Sequence, residues 1–256
     1  MNNEQKHSGF SLTEVLIAVG ILAVGLTFVA GVFPAGIYLT TIATERTIAA
    51  VAADEAFAKI RIYATGDLGN PNDDVNLVNL TQNKMMDFNN PTVFPATSGI
   101  KADEFAYPSA DTNDSKQYCW SALCRRAGPD PNRLVQVTVF VCRKTGLGLR
   151  YPKDNLNVPY YDWPTPVKVS VVQGGSANEL RITSDKRFIN DGYTIVDDAT
   201  GRIYRVLERY KSPDDDTILL DRRWEGGSSG SVWVVPPPVN GGRYPCIAVY
   251  QKVIRF

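Results

Sequence analysis

Residues 9–32, GFSLTEVLIAVGILAVGLTFVAGV, determine how the rest of the sequence is interpreted. They are apolar over about the 20 residues that an α-helix needs to cross the hydrocarbon core of a bilayer. The short leader before them, residues 1–9, contains Lys6, and a positive charge there favours a cytoplasmic N-terminus. The pattern predicts a membrane-spanning helix over residues 10–32, with the body of the chain on the opposite, periplasmic side.

Glu14 is the one ionisable residue inside this apolar segment. A charge at the centre of a membrane helix costs about 2.5–3.5 kcal/mol on insertion scales, so such residues are usually functional. The first cation that follows Glu14 in the chain is Arg46, beyond the apolar segment. Cleavage after Gly9 would create an α-amine on Phe10, which could meet Glu14 of a neighbouring copy. Alternatively, Glu14 lies at the membrane interface and its carboxylate reaches water.

The start of the segment resembles the leader and methylation motif of type IV prepilins. A short basic leader ends in Gly9, Phe10 follows, and Glu14 comes four residues later, ahead of the apolar helix. The apolar run is most similar to those of minor pilins and of minor pseudopilins from type II secretion systems. The resemblance is strong over the N-terminal segment and loose over the remainder of the chain.

The resemblance implies that prepilin peptidase cuts between Gly9 and Phe10 and methylates the new Phe10 amine. It also implies that Glu14 guides docking onto other pilin or pseudopilin subunits. The expected protein is a structural subunit rather than an enzyme, with no cofactor and no metal. It would be held in the inner membrane by residues 10–32, or carried into an extracellular filament. The choice between a pilus and a secretion pseudopilus stays open.

Two other interpretations of the N-terminus remain. The apolar region of a secretory signal peptide spans about 7–15 residues, which is shorter than the one here, and the small residues near Ala30 make a weak cleavage site. A single-span anchor could also carry an extracytoplasmic binding module or an enzyme. An intact or differently cut N-terminus would distinguish both from a processed pilin.

Composition excludes several classes of function. The one histidine is His7, so a chain without its leader would lack Ser-His and Cys-His nucleophile pairs and histidine metal sites. The formal net charge of zero argues against nucleic acid as a partner. Aspartates cluster at 73–74, 197–198 and 214–216, without the alternating spacing of a calcium loop.

The residues after the apolar segment predict an α+β fold. From 38 to 64, apolar residues recur at three- and four-residue steps, which is typical of a helix with one face packed on a sheet. Pro34, between Gly31 and Gly36, predicts a bend or local unwinding in the long helix, or else a loop at the membrane exit. The long N-terminal helix is therefore expected to pack on an antiparallel sheet.

Residues 118–124 and 134–142 predict a β-hairpin. If Cys119 pairs with Cys142, one consistent apolar face results; it contains Trp120, Ala122, Cys124, Val137, Val139 and Val141. The same register places Cys119 opposite Cys142 on the other face. A cross-strand disulfide there would suit an oxidising compartment, and buried free thiols are the alternative.

Five segments follow from these patterns. They are a leader (1–9), the N-terminal helix (10–64), a pilin-like loop and sheet region (65–150), a linker rich in proline and aromatic residues (151–166) and a C-terminal β module (167–256). Residues 66–115 are expected to be irregular and to cover one edge of the sheet. Short strands and a tight turn at 198–201 predict that the last module is a small barrel or sandwich.

Overall fold

The computed structural model describes residues 10–68, 80, 82–88, 102–108, 116–128, 134–146, 148–152, 160–161, 163–210 and 216–255. The chain divides into two compact units, Met1–Thr47 and Ile48–Phe256. The first contains the apolar part of the helix. The second contains the rest of the helix and the strands.

The long N-terminal helix is confirmed as α1 (Leu12–Leu68). It is helical without interruption through Pro34, so the alternative of a loop at that point is wrong. Proline has no N–H to donate to the carbonyl four residues earlier, and α1 continues on both sides of it without that hydrogen bond. In the second unit, α1 buries an apolar face of four alanines and two larger residues: Ala49, Ala52, Ala53, Ala56, Phe57 and Ile60.

The described strands form a five-stranded sheet, a two-stranded ribbon and a closed barrel of six strands. They are β1 (Met86–Asp87), β2 (Ala106–Tyr107), β3 (Tyr118–Arg126), β4 (Leu134–Arg143), β5 (Tyr151–Pro152), β6 (Tyr160–Tyr161), β7 (Val167–Gln173), β8 (Glu179–Ile182), β9 (Thr194–Asp197), β10 (Ile203–Arg209), β11 (Thr217–Leu220), β12 (Ser229–Val234) and β13 (Cys246–Arg255).

The predicted hairpin and its register are confirmed. β3 and β4 pair antiparallel with Cys119 opposite Cys142. The apolar face that this register predicts packs with the buried face of α1 in one core. Alternation of side chains along each strand fixes the register, because a slip of one residue would turn the whole face away from the helix.

The last strand pairs differently from the prediction. β13 lies beside β4, with Cys246 opposite Cys142, so the sheet order is β1-β3-β4-β13 with β2 also on β3. The assignment of this strand to the C-terminal β module is therefore wrong. Its sequence pattern indicates a strand but carries no information about which neighbour it pairs with, and the barrel is an insertion between β4 and β13.

Of the two architectures predicted for the last module, a small barrel or a sandwich, the structure contains the barrel. Its six strands close in the order β10-β11-β8-β7-β12-β9. Every second residue of these strands points inward, as pleating requires, and the interior is filled by apolar side chains, including Val169, Leu180, Tyr204, Ile218 and Val232. Closure leaves the six strands without a free edge for pairing with other chains.

The barrel packs on the face of the sheet that is turned away from α1. Leu123 and Phe140 of the sheet share a buried cluster with Val196, Trp233 and Val235 of the barrel region. The sheet is therefore covered on both faces. This explains why β3 and β4 are buried almost along their whole length, as is usual for strands between two layers.

The edge formed by β3 is covered in part by the segment that was expected to be irregular. β1 and β2 both pair with β3, and Lys59 of α1 binds Glu104 just before β2, with 2.9 Å between Nζ and Oε2. The linker also contains structure, since β5 pairs with β6. Residues 69–79, 81, 89–101 and 109–115 of the first segment, and residues 153–159 and 162 of the linker, lie outside the described residues.

The turn between β9 and β10 forms the polar part of the contact between barrel and sheet. Asp197 accepts hydrogen bonds from the backbone of Ala199 (3.2 Å) and Thr200 (3.1 Å). Arg125 Nη1 of the sheet donates to the Ala199 carbonyl at 2.9 Å. Gln251 Nε2 of β13 donates to the Gly201 carbonyl at 2.7 Å. The turn is thereby held against two strands of the sheet.

Gly201→Ala should destabilise the protein by about 2–4 kcal/mol, because it combines left-handed backbone strain with overpacking. Gly201 has φ +69°, and an added Cβ would lie 2.9 Å from both Arg125 Nε and Gln136 Nε2. Gly192→Ala is the matched control, since Gly192 has φ +79° and no atom within 4 Å of the added Cβ. It should cost only about 1 kcal/mol.

Urea unfolding of the detergent-solubilised full-length variants measures both losses. Equal losses in the two variants would show that the added methyl group is accommodated beside Arg125 and Gln136, and would contradict the predicted overpacking.

Candidate functional site

The N-terminal end of α1 is capped by Ser11. The backbone N–H of Glu14 donates to Ser11 Oγ at 3.3 Å and to the Ser11 carbonyl at 3.0 Å. Ser11 and Glu14 therefore occupy the two positions of a capping box. A carboxylate in the first turn also interacts favourably with the positive end of the helix dipole. This gives Glu14 a local structural role besides any role in assembly.

Phe10 is the first described residue, and its side chain is 85% exposed. It precedes Glu14 by about one helical turn, so the two lie at similar depth along the helix. Gly9, the other residue of the predicted cleavage site, lies outside the described residues, as does the rest of the leader. The predicted processing site therefore precedes Leu12, the first residue of α1.

The Glu14 carboxylate is exposed and has no cation on its own segment of helix. Arg46, the next cation in sequence, lies about 50 Å further along the helix at roughly 1.5 Å per residue. Between residues 10 and 45 no cationic side chain is available, so a cationic partner for Glu14 would come from the leader, from an N-terminal amine or from another chain.

The apolar part of α1 presents its side chains outward. Residues along it, such as Leu16, Leu22 and Phe28, are each more than half exposed. Among the described residues, one helix is long and apolar enough to cross a membrane, Leu12–Tyr63. Thr27 satisfies its hydroxyl by donating to the Ala23 carbonyl at 2.9 Å, as suits a polar group in hydrocarbon.

All four cysteines are buried thiols. Cys119 and Cys142 are opposite each other, as predicted, and they are not bonded in this structure. Burial, together with the neighbouring Cys119 and Cys246 thiols, raises the pKa of the Cys142 thiol well above its ordinary value of 9.0. Burial also raises the pKa of Cys124, which lies on the face toward α1. Thiols of this kind are poor nucleophiles while they stay buried.

The aspartate clusters that the structure describes have structural partners. Asp198 accepts from Trp233 Nε1 at 2.7 Å and pairs with Lys168, and Asp197 caps the β9–β10 turn. Asp216 pairs with Arg181 at 2.9 Å, and this partner lowers the pKa of the Asp216 carboxyl. Within the described parts of the chain, no group of three potential ligands is placed to hold a metal ion. Asp73, Asp74 and residues 214–215 lie outside those parts.

Two features were missed from sequence. The capping box was readable as Ser11-x-x-Glu14 ahead of an apolar run. The position of Cys246 beside Cys142 was not readable, because it depends on the pairing of β13 with β4.

A family model described as the prokaryotic N-terminal methylation motif matches residues 5–30. No curated protein and no solved structure shows significant similarity to the chain. The apolar helix and the matched motif together support a membrane-anchored protein with a single span. More particularly, the match supports a type IV pilin-like or pseudopilin precursor. The matched residues include Gly9, Phe10, Ser11 and Glu14.

Proposed function

We propose that the protein is a minor pilin or minor pseudopilin, a structural subunit of a type IV pilus or type II secretion filament. Prepilin peptidase removes the leader after Gly9 and methylates the Phe10 amine. The subunit stays in the inner membrane through residues 10–32, with the leader side cytoplasmic and the body periplasmic, until it enters the filament. The observation that carries this proposal is the methylation motif at the exposed N-terminal end of an uninterrupted apolar helix.

Electrostatics supports assembly through Glu14. An ionised carboxylate without a partner is costly in hydrocarbon, and the nearest cation on the same helix is far away. Removal of the leader creates a cationic amine on Phe10, at nearly the depth of Glu14. In a bundle of parallel helices, the Phe10 amine of one subunit pairs with Glu14 of the next. Opposite charges brought together in a low-dielectric environment attract strongly.

The structure of the second unit suits a globular domain that the N-terminal helix anchors. One face of the sheet packs on α1 and the opposite face carries a closed barrel. The barrel interior is filled with side chains, which suits a surface for contact with other proteins rather than a container for a small ligand.

The test is mass spectrometry of the mature N-terminus of the protein purified from membranes. We expect the N-terminal peptide to begin with N-methyl-phenylalanine at Phe10. An intact Met1, or a cut near Ala30, would contradict the proposal and favour a single-span anchor that carries a binding module or an enzyme.

A further inference from the structure

Three cysteines lie side by side across three neighbouring strands. Cys142 of β4 is opposite Cys119 of β3 and also opposite Cys246 of β13. The Cys142 thiol interacts with both neighbouring thiols, and all three share one buried cluster. Cys142 can form only one disulfide, so the two neighbours are competing partners.

Backbone hydrogen bonds distinguish the two pairs. The N–H of Lys144 donates to Gln117 of the β3 side at 2.7 Å, whereas the N–H of Arg143 donates to Pro245 of the β13 side at 2.8 Å. Because these directions alternate along a strand, the N–H of Cys142 points toward β3. Cys119 and Cys142 therefore form a hydrogen-bonded pair, and Cys142 and Cys246 form a non-hydrogen-bonded pair.

This difference decides which sulfur atoms approach more easily. In an antiparallel sheet, Cα atoms are about 5.5 Å apart in a hydrogen-bonded pair and about 4.5 Å apart in a non-hydrogen-bonded pair, where side chains are closer. A disulfide requires Cβ atoms about 3.5–4.5 Å apart. The register shift after Cys246 leaves its side chain in the cluster with Cys142, while Ile247 packs on the opposite core.

We propose that Cys142 forms its disulfide with Cys246 rather than with Cys119. The oxidant is a small-molecule or protein disulfide. The Cys246 thiolate attacks one sulfur of that disulfide and expels the other as a thiolate. The Cys142 thiolate then attacks the Cys246 sulfur and expels the remaining thiolate. Two protein thiols thereby lose two electrons and two protons, and the oxidant becomes two thiols.

The proposed bond joins the two ends of the segment that contains the barrel. Cys142 is near the end of β4 and Cys246 begins β13, so the bond encloses a loop of about 100 residues that contains the barrel. Closing so long a loop restricts the unfolded chain strongly. Oxidation should therefore raise the melting temperature by about 5–15 °C.

Peptide mapping after oxidation tests the pairing without reference to the cellular compartment. Full-length protein, reduced and in detergent, is equilibrated with reduced and oxidised glutathione in urea below the unfolding midpoint, alkylated and digested with trypsin. The sequence places Cys119 and Cys124 in peptide 117–125, Cys142 in 134–143 and Cys246 in 244–252. We expect a linked pair of peptides 134–143 and 244–252. A dominant link between 117–125 and 134–143, or alkylation of all four thiols, would overturn the proposal.

Two variants provide a matched comparison. Cys119→Ser should keep the link and the fall in melting temperature on reduction, whereas Cys246→Ser should lose both. Loss of the reduction-dependent shift in Cys119→Ser, with its retention in Cys246→Ser, would assign the bond to Cys119 instead. Mapping of the unmodified protein decides the question even if a variant fails to fold.

Discussion

Gly9→Ala should leave most of the protein with its leader attached. An added methyl group in a close-fitting subsite changes specificity by about 10–200-fold, and the proposed cleavage places Gly9 directly before the cut bond. We expect the rate of leader removal to fall by at least about tenfold. Pulse-labelling in cells that contain the peptidase, with electrophoretic separation of precursor and mature protein, measures that rate.

The matched control is Gly20→Ala. Gly20 lies in the apolar helix, and an added Cβ there meets no atom within 4 Å. This variant should be processed like the wild type, which separates an effect at the cut bond from a general effect on insertion. Normal processing of Gly9→Ala would contradict the proposal that prepilin peptidase cleaves after Gly9.

Glu14→Ala should insert into the membrane normally and enter filaments poorly. Loss of one partner from a buried ion pair typically costs 3–5 kcal/mol, and about 1.4 kcal/mol corresponds to a tenfold change. We therefore expect the variant to be depleted about tenfold or more in sheared filament fractions, relative to its amount in membranes. Quantitative immunoblotting of both fractions gives the ratio.

Glu14→Gln separates the charge from the helix cap. Glutamine can occupy the same position of the capping box with Ser11, but it cannot form an ion pair with the Phe10 amine. If the charge drives assembly, Glu14→Gln is depleted as much as Glu14→Ala. If both variants enter filaments as well as the wild type, the electrostatic role of Glu14 is wrong.

Local patterns in the sequence were sufficient for the helix and the hairpin. A long apolar run and a three- to four-residue repeat each indicate a helix, and together they predicted α1 within a few residues. Alternation along β3 and β4 predicted that Cys119 faces Cys142. In each case, the residues that carry the signal lie near one another in the chain.

Features that depend on distant pairing were not predictable in the same way. β13 has the composition of a strand in either sheet, and only the fold assigns it to β4. The burial of Leu123 and Phe140 by the barrel depends on contacts with Val196 and Trp233, far along the chain. The second neighbour of Cys142 was missed for the same reason.

The insertion of the barrel between neighbouring strands gives the molecule a modular architecture. The chain leaves the sheet after Arg143 and returns at Cys246, beside the point of departure, so a different domain could replace the barrel there without changing α1. Such an exchange has one requirement. Leu123 and Phe140 would lose their cover, and any replacement domain must bring an apolar surface that shields them from water.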